Sequence, residues 1–87
     1  MPRVEKEVTI LNKQGLHARP AALFVQLAAQ FDSNITLIKD SEKVNGKSIM
    51  GILMLAAECK SKILLEADGE DAQEAVKELE NFLLKEE

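Results

Sequence analysis

Lys13 to Leu23 reads KQGLHARPAAL and holds the only histidine of the 87 residues, followed at once by alanine, arginine and proline. Imidazole is a good nucleophile toward phosphorus and a good leaving group from it, so histidine suits a phosphate that must be passed on. A serine phosphate is too inert for rapid onward transfer. Proline in a first helical turn has no intrahelical hydrogen bond to lose, so Pro20 marks a helix start and places the N-cap at or near His17. A side chain there faces the backbone N–H groups of Ala18 and Arg19, which lack helical partners, and the macrodipole adds about half a positive charge. Arg19 can reach back with a charge-assisted hydrogen bond. A phosphoryl group on the His17 ring is thereby met on two sides.

Other uses of the histidine lack parts. A catalytic triad needs a serine or cysteine paired with it by a third group, and a zinc site needs further ligands nearby, whereas Cys59 is the lone cysteine. No metal and no cofactor are expected. Neither a P-loop nor a Rossmann glycine pattern is present, so any phosphate must arrive from a partner protein. The chain carries eleven Lys and Arg against fifteen Asp and Glu, a net charge of −4, which opposes binding to nucleic acid.

The elements that position these residues follow from patterning. Residues 4 to 11 alternate as a strand, and Asn12 to Gly15 is turn-like. From Ala18, the residues Ala21, Phe24, Val25, Ala28 and Phe31 follow one helix face, which Asp32 to Asn34 closes. Ile35 and Leu37 begin a hairpin that turns around Asp40 and Ser41 and returns through Val44. Ser48 caps a second helix, SIMGILMLAA. Ile63, Leu65 and Ala67 form another strand, and Asp71 with Glu74 reads as a capping box before a last helix carrying Ala75, Val76, Leu79, Phe82 and Leu83. The order βαββαβα predicts an α+β open-faced sandwich, a four-stranded antiparallel sheet with three helices on one face, in a single domain spanning 1–87. The longest apolar run, Ile49 to Ala57, falls far short of the ~20 residues a membrane span needs, and the charged start resembles no secretory signal. A cytoplasmic monomer without direct membrane insertion is expected.

GLHARPAALFVQLAAQF together with VNGKSIMGILML closely resembles HPr, the histidine-containing phosphocarrier family of the phosphoenolpyruvate-dependent sugar phosphotransferase system. The resemblance spans nearly the whole chain. It implies that His17 accepts phosphate, at Nδ1, from phosphorylated enzyme I and passes it to enzyme IIA proteins or domains, with Arg19 helping to hold the phosphate. The protein is then a stoichiometric carrier and not an independent enzyme.

Pattern alone makes Ser48 an N-cap. The resemblance adds that the serine of KSIMG is the one phosphorylated by HPr kinase/phosphorylase in relatives, and that a catabolite-control transcription regulator is a possible reader of it. Ile49, Met50, Ile52, Leu53, Met54 and Leu55 nearly surround the second helix, which is more apolar surface than one buried stripe requires. Ile49, Met50 and Leu53 are expected to form an exposed docking patch, joined by Lys47 and by Ala22, Leu23 and Leu27 of the first helix. Many family members carry glycines where this chain has Ala56 and Lys60; a left-handed backbone at Lys60 would cost roughly 1 kcal/mol that glycine avoids, so a differently built turn is the expectation there. Two rival readings remain: NPr, the nitrogen-related carrier, and a pure binding module. The catabolite-repression homologue lacks the histidine, and His17 counts against it.

Overall fold

The computed structural model describes residues 2–85. Seven elements follow one another: β1 (Arg3–Thr9), α1 (Ala18–Ala28), β2 (Asn34–Lys39), β3 (Glu42–Asn45), α2 (Ile49–Leu55), β4 (Lys62–Asp68) and α3 (Ala72–Leu84). The strands form one antiparallel sheet in the order β1-β4-β2-β3. Period-two alternation puts Val8, Ile63, Leu65, Ala67, Ile35 and Leu37 on one face, where they are buried with Phe24, Ile52, Leu79 and Leu83 of the helices. The predicted open-faced sandwich is the observed fold. The other face is uncovered, and there Glu5 of β1 lies directly opposite Glu66 of β4. Like charges so placed repel. Arg3 offsets the repulsion by reaching both carboxylates, at 2.7 and 3.0 Å.

Three local expectations are corrected. β1 ends at Thr9 and not at residue 11, because Ile10 turns from the ladder to the connection before β4: its N–H donates to the Ser61 carbonyl, and its own carbonyl accepts from Lys60 N–H. α1 ends at Ala28, and the following turn tightens to i→i−3 bonds, Gln30 to Leu27 and Phe31 to Ala28, each 3.1 Å. The capping box at Asp71 does not form. The Asp71 side chain makes no bond to its own helix, and its carboxylate accepts instead from the N–H groups of Asp32 and Ser33, at 2.9 and 3.0 Å, and from the Ser33 hydroxyl. Ser33 is almost fully buried, so its polar groups need a partner that solvent cannot supply.

The β2–β3 turn has two residues, Asp40 and Ser41, both at positive φ (50° and 71°), the mirror-image turn that matches strand twist. The turn after α2 is a further correction: Lys60 does adopt, at φ 73°, the left-handed backbone that glycine would occupy without strain, and Ala56 closes α2 at φ 54°.

Candidate functional site

His17 is the N-cap of α1, with extended backbone (φ −86°, ψ −167°), and its carbonyl accepts from Ala21 N–H at 2.8 Å. Its imidazole is exposed and makes no capping bond. Pro20 has no N–H, and Ala21 N–H is taken, so the unpaired donors of the first turn reduce to Ala18 and Arg19. Arg19 is exposed and has no carboxylate partner among the described residues. It borders a depression of about 370 Å³ whose walls include Gln14, Leu23, Phe82 and Lys85. The imidazole thus stands beside two backbone donors and close in sequence to a free guanidinium.

The loop that delivers His17 is fixed from three sides. Asn12 Oδ1 accepts from Gln14 N–H at 2.8 Å, and Gly15 N–H donates to the Asn12 carbonyl at 3.0 Å, making a closed turn. Leu11 N–H donates to the Leu83 carbonyl at the end of α3, and Leu16 N–H to the Ala57 carbonyl at 2.8 Å. Gly15 adopts φ +64°, and a Cβ there would stand 2.6 Å from the Ala57 oxygen. Only glycine allows the His17 loop to lie this close to the turn after α2. Leu16, fully buried, anchors the residue immediately before the histidine.

Ser48 caps α2, its hydroxyl oxygen accepting from Gly51 N–H at 3.1 Å, and it is half-buried. The preceding Lys47 is tied across to the turn after α1 by a 2.6 Å bond from its ammonium to the Phe31 carbonyl. Lys47 therefore holds the Ser48 loop as well as standing next to the surface.

Leu23, Ile49, Met50 and Leu53 are exposed by 45, 39, 64 and 39 %, while Ala22 and Leu27 are half-buried. Sequence reasoning left Met54 out of the patch, yet at 67 % it is the most exposed large apolar side chain among the described residues. Its position four residues after Met50, on the same helix face, was the available signal.

The fold and the site together define a class of small α+β domain, a one-sided sandwich whose first helix begins at an exposed histidine. The comparisons place the chain within it. A family model described as "PTS HPr component phosphorylation site" matches residues 4–85. Phosphocarrier protein HPr of Treponema pallidum is 49 % identical over 91 % of this chain and 90 % of its own length. HPr-like protein Crh of Halalkalibacterium halodurans is 53 % identical over 95 % of this chain and 99 % of the relative. The crystal structure of a phosphocarrier protein HPr from Bacillus anthracis superposes with a TM-score of 0.93 at 46 % identity, covering 95 % of this chain and 99 % of that one. The chain belongs to the HPr family of phosphotransferase-system phosphocarriers. No helix of the described residues is long and apolar enough to cross a membrane.

Proposed function

We propose that the protein carries phosphate on His17 between phosphorylated enzyme I and enzyme IIA proteins. An imidazole nitrogen attacks the phosphorus of the donor's phosphohistidine; the new N–P bond forms as the donor's N–P bond breaks, and the donor imidazole leaves. The Ala18 and Arg19 N–H groups and the Arg19 guanidinium meet the phosphoryl oxygens. The observation that carries this reading is the exposed, uncapped His17 ring at a helix start with two unpaired backbone donors. An exposed site met by a partner's surface needs no cleft of its own.

Ser48 is the regulatory site, phosphorylated by HPr kinase/phosphorylase. A phosphate of about −1.5 to −2 charge is tolerated at a helix start but lies beside the docking surface of Leu23, Ile49, Met50 and Leu53, with Ala22, Leu27 and Lys47 at its margin. The likeness to Crh proteins favours a second reading, a regulatory partner of a catabolite-control regulator read out through Ser48. Both roles belong to a monomer acting in the cytoplasm.

The test is intact-protein mass spectrometry after incubation with enzyme I, Mg²⁺ and phosphoenolpyruvate, comparing wild type with His17→Ala. One acid-labile phosphate, absent from the variant, supports the carrier. No phosphate with a competent enzyme I leaves the Ser48 reading.

A further inference from the structure

The chain has three methionines, and the two among the described residues lie four apart on α2, both outside the core. Cores commonly use methionine as a gap-filler. Here the buried cluster contains none, while Met50 and Met54 are the two most exposed large apolar side chains of the described residues. From this placement we propose that Met50 and Met54 are an oxidation site: peroxide converts their thioethers to sulfoxides and thereby weakens partner docking on α2 without unfolding the domain. The inference rests on the docking role of α2 proposed above.

The chemistry is a two-electron oxygen transfer. The thioether sulfur attacks one oxygen of hydrogen peroxide, the S–O bond forms as the O–O bond breaks, and the departing hydroxide leaves as water after taking the proton of the transferred oxygen. Sulfur is oxidised to the sulfoxide and peroxide is reduced to water; methionine sulfoxide reductases reverse the change. A sulfoxide is polar and chiral, so in a core it would disrupt packing. On an exposed helix face it remains hydrated, and only the apolar surface offered to a partner changes. Residues four apart lie one above the other, so two oxidations make one continuous polar strip. Ser48 stands at the head of the same helix. Oxidation and Ser48 phosphorylation would thus act on one surface by different chemistry, loss of apolar contact in one case and added charge in the other.

The experiment treats the full chain with hydrogen peroxide, locates oxidised residues by peptide mass spectrometry, and measures enzyme I affinity by calorimetry and stability by thermal denaturation. Two oxygen atoms on Met50 and Met54, an unchanged melting temperature, an affinity about tenfold weaker and recovery after sulfoxide reductase are the expected result. The Met50→Leu/Met54→Leu variant, compared with its own untreated affinity for enzyme I, should show no further change after peroxide. Unchanged affinity of the oxidised wild type overturns the proposal. So does peroxide sensitivity in the double variant, which retains Cys59 and Met1 and would assign the effect to them. Failure of untreated wild type to bind enzyme I is a separate result that overturns the docking reading, and this inference with it.

Discussion

The Asp71 carboxylate at the head of α3 accepts the backbone N–H of Ser33 at 3.0 Å, 38 residues away in sequence, and so closes the turn that follows α1. Its second oxygen takes Asp32 N–H at 2.9 Å, and the Ser33 hydroxyl adds a third bond. Gly69 completes the junction, since a Cβ there would stand 2.7 Å from Ser33 Cα. The Ser33 hydroxyl foremost, then the Asp32 N–H, hold the Asp71 carboxyl below the usual carboxylate range. A depressed folded-state pKa stabilises the protein above the unfolded value, near pH 4, and this contribution is lost as pH falls through the lower folded value. Asp71→Asn should lower the melting temperature at pH 7 and bring it closer to wild type near pH 3. A constant difference between the two across that range would contradict the linkage.

Arg19→Ala should slow phosphoryl transfer from enzyme I while leaving the melting temperature unchanged, because the guanidinium is exposed and unpaired among the described residues. Rapid-quench kinetics with both proteins checks this. Equal rates would remove Arg19 from the phosphate site.

Ser48 separates into two tests. Ser48→Ala removes the acceptor of Gly51 N–H and should cost ~1 kcal/mol of stability, read by urea denaturation. Ser48→Asp keeps a capping oxygen but adds charge, so it should weaken enzyme I binding with little loss of stability. Unchanged affinity by calorimetry would reject regulation by blocked docking.

Two backbone substitutions should act in opposite directions. Lys60→Gly relieves a left-handed lysine and should stabilise by roughly 1 kcal/mol. Gly15→Ala should destabilise by at least ~1–2 kcal/mol, since the new Cβ meets both a positive φ and the Ala57 oxygen. It should also slow phosphorylation of His17 by displacing its loop. Equilibrium denaturation of both variants gives the signs directly.

The element order and the sheet face were legible because alternation and helical spacing report burial directly, and Pro20 located the helix start that carries His17. Asp71 was misread because a local pattern, Asp followed three residues later by Glu, was outcompeted by a distant turn with buried, unpaired donors. Such demand appears only when α1 and α3 are brought together. The role of Gly15 was hidden for the same reason: its left-handed backbone is a local fact, but the Ala57 carbonyl that forbids a side chain arrives from 42 residues later. Lys47 was readable as part of a motif, whereas its bond to Phe31 depends on where α1 ends, which sequence placed several residues too late.

Pro20 leaves the first turn of α1 one donor short. A phosphoryl group brings three acceptor oxygens, and the helix start offers it two backbone hydrogens. A tighter grip would lengthen the lifetime of the loaded state and slow its discharge. Pro20→Ala restores the missing donor, and phosphate on His17 should then leave more slowly to enzyme IIA, a rate that single-turnover discharge measures, with thermal denaturation accounting separately for loss of the buried ring. A good relay is one that lets go.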